Sequence, residues 1–189
     1  MKRTILIALA IAATNTAFVS RSLKSQELPS QALPTAFQGR APRIEDVRTS
    51  SAYTSSRRAK YYFTLTLPDT SETPLQKVIV QQRGGQERIR FKLEETTAFL
   101  GTSRDRGEPL DIQSASYDES TLAVTVELTE AISPGTTMSI RLKPRRNPRW
   151  GGAYGFGVTV LPAGANGREL YLGARRISFY ERIRPRYRW

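Results

Sequence analysis

Apolar side chains recur in this chain with a period of two, in short runs about ten residues apart, and no long helical pattern interrupts them after Ile44. Successive strand residues point to opposite faces of a sheet, so such runs predict strands with one face buried. The clearest is Lys60 to Leu67, KYYFTLTL, with Phe63, Leu65 and Leu67 on one face and Tyr62, Thr64 and Thr66 on the other. Ile44 to Arg48 predicts a strand before it, Ser50 to Arg58 a loop, and Pro68 to Thr73 a polar turn closed by Pro74. Leu75 to Gln82 predicts the next strand, with Val78 and Val80 opposite Ile79. Gly84-Gly85 suits a type I′ hairpin turn, so Glu87 to Leu93 is expected to return as its partner. Ile89, Phe91 and Leu93 would then face inward and Arg88, Arg90 and Lys92 outward, giving an antiparallel sheet with one face in water.

Glu94 to Gly107 is less regular and reads as a short helical turn or a long loop. Asp111 to Tyr117 and Thr121 to Leu128 predict a hairpin across Asp118-Glu119-Ser120. Pro134-Gly135 fits the central positions of a type II turn, and Thr137 to Lys143 follows with Met138, Ile140 and Leu142 inward. The stretch Pro144 to Pro162, PRRNPRWGGAYGFGVTVLP, then joins a turn rich in Arg and Pro to an apolar strand. Tyr154, Phe156, Val158 and Val160 share one face. Gly155, Gly157 and Thr159 share the other, which predicts a central strand that a neighbouring layer approaches closely. Ala163 to Arg168 is a loop, and Leu170 to Leu172 and Ile177 to Tyr180 are short final strands. Eight or nine short strands without a long helix predict an all-β, antiparallel, immunoglobulin-like β-sandwich over residues 43–181. No solenoid or propeller repeat is present.

The ends have a different composition. Residues 1–19 pair a charged Lys2-Arg3 start with an apolar run from Ile5 to Ala13, the pattern of a secretory signal and too short to span a bilayer. The alternative is an uncleaved anchor or a core helix. Residues 20–42 are rich in Ser, Gln, Pro and Ala and read as a flexible linker, or as irregular chain lying along the domain. Residues 182–189 form a basic, aromatic tail. A terminal Trp with Tyr two positions earlier also fits the end of an outer-membrane barrel, but Pro185 and the crowded arginines count against that. The expected location is therefore outside the inner membrane, in a periplasm, a thylakoid lumen or the extracellular space, with no transmembrane span in the mature chain.

Composition removes several chemistries. There is no Cys and no His, so disulfides, Cys/His zinc sites, a Cys nucleophile and a Ser-His triad are excluded. The net charge is +12, and only six of the 29 basic residues are Lys. That arginine bias suits bidentate contact with carboxylate or phosphate. The segments YYFTLTLP, LQKVIVQQRGGQERIRFKLEETTAFLGTSRDRG and PGTTMSIRLKPRRNPRWGGAYGFGVTVLPAG, in this order, resemble a family of exported cyanobacterial proteins, the domain of unknown function 2808. The resemblance covers about Ile44 to Tyr180. It implies a cyanobacterial source and an envelope or lumen location, and it implies no activity and no catalytic residues.

Three constellations are candidates for chemistry. Arg104 and Arg106, around Asp105 and near Glu94 and Glu95, would grip an anion in a loop, or would pair with these acids to fix a turn. Arg145, Arg146 and Arg149 beside Trp150 and Tyr154 would hold a phosphate or uronate and stack a sugar ring. Alternatively the Trp caps the end of the sandwich under the arginines. The glycines at 151, 152, 155 and 157 do not make a dinucleotide fingerprint. Asp105, Glu108 and Asp111 are spaced carboxylates, and without a D-x-D-x-D-G pattern they predict no calcium site. No cofactor and no metal is expected. The favoured reading is a non-enzymatic binding or structural protein that contacts an anionic envelope polymer, lipid head groups or a protein partner. Nucleic acid is not expected for an exported chain. Two alternatives stand beside it: a carbohydrate-active hydrolase with a carboxylate pair in the 94–111 region, and a subunit or assembly factor of an exported complex that uses a sheet edge.

Overall fold

Ten strands follow one another in the computed structural model, which describes residues 37–164 and 167–181. They are β1 Arg43–Thr49, β2 Tyr61–Thr66, β3 Leu75–Gln82, β4 Thr97–Gly101, β5 Arg106–Leu110, β6 Ile112–Asp118, β7 Ala123–Ile132, β8 Thr137–Leu142, β9 Gly152–Pro162 and β10 Leu170–Phe179. The expected signal at 1–19, the linker up to residue 36 and the tail at 182–189 lie outside the described residues. No helix among the described residues is long and apolar enough to cross a membrane.

The strands form two five-stranded antiparallel sheets, in the orders β1-β2-β8-β4-β5 and β10-β9-β3-β7-β6. Phe63, Leu65, Ile140 and Leu142 from the first sheet and Val78, Val80, Val124, Val126, Phe156, Val158 and Val160 from the second are all buried in one core. An aromatic seam joins the layers. The Phe156 ring stands edge-on to Tyr61 at 5.9 Å and to Phe63 at 5.7 Å between centroids, and Phe179 lies 5.8 Å from Tyr61. The fold is thus the all-β, immunoglobulin-like sandwich that the alternation predicts.

Several local expectations are corrected. Glu87 to Leu93 does not form a hairpin with β3. Both flanks of β3 are occupied, by β7 and β9, so no ladder position is left. The segment instead crosses to the other sheet, where Phe91 bridges Pro144 after β8. Gln82 steers the crossing: its side chain accepts from Ile89 N–H at 2.8 Å and donates to Glu87 O at 2.8 Å. Gly85 adopts φ +124°, and a Cβ there would also overlap the Tyr154 ring, so both backbone and packing favour glycine. The alternation itself survives, with Ile89 and Phe91 buried and Arg88 and Arg90 exposed.

Glu94 to Gly107 contains a single 3-10 turn at Leu93–Glu95, strand β4, and the turn into β5. The two short final strands are one, β10, broken in pattern only by a bulge between Tyr171 and Gly173. The outer face of β2 is not in water: Tyr62 and Thr64 are buried. Arg106 lies over the Tyr62 and Phe99 rings at 5.4 and 5.2 Å from their centroids, and Thr64 and Ser139 share a 2.8 Å hydroxyl hydrogen bond. No further layer approaches Gly157. The side chains that cover it are those of Arg83 and Tyr171, stacked at 4.7 Å. The type II turn at Pro134-Gly135 forms as expected, with Gly135 at φ +79°. Residues 38–40 at the end of the linker hydrogen-bond to Thr70, Glu72 and Thr73.

All four edge strands carry a bulge. Register slips occur at Ile44/Asp46 on β1, at Ile112/Ser114 on β6 and at Tyr171/Gly173 on β10. A fourth lies where β5 pairs with Phe99 and Gly101 of β4. Bulges twist an edge away from flat pairing with another chain.

The β6–β7 hairpin closes through Asp118. Its Oδ1 accepts from the Ser120 N–H at 2.8 Å and the Ser120 hydroxyl at 2.7 Å, and its Oδ2 accepts from the Thr121 hydroxyl at 2.7 Å. These bonds favour the carboxylate and lower its pKa from the ordinary 3.8 to about 2. A folded pKa below the unfolded one adds stability that is complete above about pH 4 and is lost as pH falls through about 2. Acid titration of the melting temperature is therefore expected to show a downward limb between these values that is shallower in Asp118→Asn. An identical limb in the variant would remove Asp118 as its source.

Candidate arginine cleft

The loop after β8 is fixed from beneath by one buried amide. Asn147 is fully enclosed. Its Oδ1 accepts from the Tyr61 hydroxyl at 2.9 Å, and its Nδ2 donates to Ser51 O and Tyr53 O, both at 2.8 Å. Its backbone N–H donates to Ser56 O at 2.8 Å, and Ser55 N–H donates to Pro148 O at 2.8 Å. The loops 50–58 and 144–150 are thereby joined. On the other side, Arg145 N–H donates to Arg90 O and Lys92 N–H to Lys143 O, each at 2.8 Å. The Lys143 ammonium donates to Arg57 O at 2.6 Å and to Ala59 O at 3.2 Å. Burial holds the pKa of Lys143 down, and the charges of Lys60, Lys92 and Arg141 add to this against an opposing pull from Glu95.

Between these three segments lies a cleft of about 650 Å³, lined by Arg57, Glu87, Arg88, Ile89, Arg90, Lys92, Arg145, Arg146, Asn147, Pro148 and Arg149. Seven of the lining residues are cationic and one is acidic. The acid, Glu87, is engaged: it accepts from Arg149 N–H at 2.7 Å and pairs with Arg146 Nη2 at 3.1 Å and Arg149 Nε at 3.5 Å. Arg90 pairs with Glu119 at 3.7 Å and Lys92 with Glu95 at 2.6 Å. The side chains of Arg57, Arg88 and Arg145 form no ion pair or hydrogen bond among the described residues. They are exposed and share the cleft, so like-charge repulsion is left for an anion to relieve.

Of the residues singled out in the sequence, Arg145, Arg146 and Arg149 meet in this cleft. Trp150 stands beside it, 59% exposed, and does not line it. Tyr154 does not belong to it: the ring is in the core against Phe179 at 5.4 Å, and only its hydroxyl reaches out, to Trp150 O at 3.1 Å. Arg104 and Arg106 lie elsewhere. β8 runs toward the cleft, its antiparallel neighbour β4 runs away, and the turn after Gly101 carries Arg104 at the far end. Arg104 there lines a shallow hollow with Glu45, Asp46 and Arg48. Arg106 is spent on its stack and on the Tyr62 hydroxyl at 2.8 Å. Sequence reasoning missed Arg57, Arg88, Arg90 and Lys92, which read as loop and solvated-strand residues, and it missed Asn147 as the anchor. An Asn directly after the Arg145-Arg146 pair, set between Pro144 and Pro148, was the available signal.

The spaced carboxylates are scattered. Asp105 closes the β4–β5 turn through its backbone with Thr102, Glu108 is exposed on β5, and Asp111 borders a small hollow with Glu130 between the sheets' edges. No group of three or more acidic side chains that would hold a metal ion occurs among the described residues. A hydrolase of the two-carboxylate kind needs a second acid across the groove, and the arginine cleft contains Glu87 alone.

A family model described as "Protein of unknown function (DUF2808)" matches residues 34–179. No curated protein matches the chain. Among solved structures, BslA, a bacterial hydrophobin, is similar over 77% of this chain and 98% of its own, at 14% identity and a TM-score of 0.45. The collagen-binding domain of a Staphylococcus aureus adhesin is similar over 71% and 94%, at 7% identity and a TM-score of 0.38. An immunoglobulin-like protein from Nocardia farcinica is similar over 70% and 96%, at 12% identity and a TM-score of 0.39.

Proposed function

The chain belongs to that family of unknown function, and we propose that it is a non-enzymatic binding protein of the cell envelope whose cleft holds anionic groups. The observation that carries this reading is the unmatched trio Arg57, Arg88 and Arg145 in a cleft whose acid is already paired. Maintaining such a concentration of like charge costs free energy unless an anion offsets it. Guanidinium groups bind carboxylate and phosphate through paired, parallel hydrogen bonds. The signal-like residues 1–19 support export, and fractionation of the source cells with an antibody to the protein tests that part: recovery with the cytosol would overturn it. The bulged edges favour binding through loops over strand addition to a partner.

The test is retention on immobilised polygalacturonate and on dextran sulfate, with neutral dextran as the control, across a salt series. Retention on both charged beads is expected at low salt and is lost as the Debye length shrinks. Replacing Arg57, Arg88 and Arg145 together by Ser is expected to weaken it by about 10-fold or more, since each exposed charge pair adds a modest amount. These three side chains have no ion pair or hydrogen bond among the described residues, so the variant is expected to melt like the parent. Retention indifferent to salt, or unchanged in the triple variant, refutes the proposal.

A further inference from the structure

Beside the cleft, three large aromatic side chains are about half exposed or more at the same end of the sandwich. Tyr180 is 62% exposed, Trp150 59% and Tyr53 49%. Their backbones are tied together there. Tyr53 forms a parallel bridge with Tyr180, Thr54 N–H donates to Tyr180 O at 2.9 Å, and Tyr53 O receives the Asn147 amide. Gly151, next to Trp150, approaches the Phe179 carbonyl and Glu181. Paired residues of a parallel bridge point to the same side, so the two tyrosines stand as neighbours. Among the described residues the one other exposed large hydrophobic side chain is Tyr171 on β10, whose ring is stacked against Arg83.

None of Trp150, Tyr53 and Tyr180 lines the cleft. A ligand confined to the cleft therefore leaves them unused, whereas a broad surface laid across this end meets the aromatics and the arginines together. Trp and Tyr have an apolar ring with a polar tip, the combination that settles at the level of lipid head groups. Arginines at the same end of the sandwich would meet lipid phosphates and the negative surface potential of an anionic leaflet. We propose that the protein docks end-on to an anionic phospholipid bilayer, with Trp150, Tyr53 and Tyr180 seated among the head groups and Arg57, Arg88 and Arg145 on the phosphates. The proposal rests on the reading of the cleft as an anion site and adds the source of the anion.

The chain has two Trp residues, Trp150 and Trp189. In full-length Trp189→Phe, Trp150 is the sole indole, and its emission reports its own surroundings. Mixing this protein with phosphatidylglycerol-containing vesicles is expected to shift the emission to the blue and protect it from a soluble quencher. Phosphatidylcholine vesicles are expected to bind about 10-fold more weakly or worse. In the background of the natural sequence, Trp150→Ala and Tyr180→Ala are each expected to reduce co-sedimentation several-fold. Both side chains are exposed, so thermal melting should confirm that each variant folds. The Arg57, Arg88 and Arg145 triple variant is expected to abolish most of the preference for the anionic lipid. Vesicle binding with unmoved Trp150 emission means that another part of the chain makes the contact, and it overturns the proposal. Binding to soluble polygalacturonate without binding to vesicles overturns it too, and leaves the anion site standing. Failure to bind either removes both.

Discussion

Asn147→Ala is expected to lower the unfolding free energy by about 3 kcal/mol and to abolish anion binding with it. The side chain is fully enclosed and makes three hydrogen bonds, one from the Tyr61 hydroxyl and two to the carbonyls of Ser51 and Tyr53. Each is worth about 1 kcal/mol net, and a buried partner left without its mate adds a desolvation cost. Burial pushes the Tyr61 phenol far above its usual pKa, so it remains a neutral donor that needs an acceptor at any pH the fold survives. The loops that carry Arg57, Arg145, Arg146 and Arg149 are joined through this amide, so the cleft is expected to lose its shape even where the sandwich persists. Asn147→Asp tests the geometry separately. It places carboxylate oxygen against two carbonyl oxygens and is expected to be at least as damaging at neutral pH. Urea unfolding of the three proteins decides the matter: a loss below about 1 kcal/mol for the Ala variant would show that water replaces the amide without cost.

Phe156→Ala is expected to cost about 3–5 kcal/mol, the range for removing a large aromatic ring from a packed interior. Phe156 is fully buried on β9 and makes edge contacts with Tyr61 and Phe63 across the two layers, so its loss opens a cavity at the seam that joins them. It does not line the cleft. Below its lowered melting temperature, Phe156→Ala is therefore expected to keep the parent's affinity for polygalacturonate. Asn147→Ala is not. The pair of variants thus separates general stability from the shape of the binding end. A loss below about 2 kcal/mol for Phe156→Ala would mean that neighbouring rings close the gap.

The fold was legible where side-chain alternation alone decides. Tyr154, Phe156, Val158 and Val160 on β9, and Val124, Val126 and Leu128 on β7, are buried as their spacing requires. It was not legible where pairing depends on what lies alongside. Gly84-Gly85 has the composition of a hairpin turn, yet the flank of β3 that Glu87–Leu93 would occupy is filled by a strand more than 70 residues later in the chain, β9, and the other by β7. β5, RGEPL, has almost no apolar pattern and is fixed as a strand by its pairing with β4. The two short strands expected at Leu170 to Leu172 and Ile177 to Tyr180 are one, β10, with a bulge between Tyr171 and Gly173. The binding end shows the same division. Arg145, Arg146 and Arg149 are neighbours in sequence and were found together, whereas Arg57 and Arg88 join them only because three loops converge. Tyr154 had two competing assignments, one from alternation and one from nearness to the arginines, and alternation prevailed.

The bulged margins of both sheets acquire a meaning once the molecule is imagined at work on a charged film. Gathering there raises the local number density, and sandwiches standing side by side collide along their rims far more often than in bulk. With flat rims, each collision would be a chance to zip into a ribbon. Four kinked rims disfavour such zipping, so molecules gathered on the proposed anionic surface are expected to stay separate and to release as salt rises.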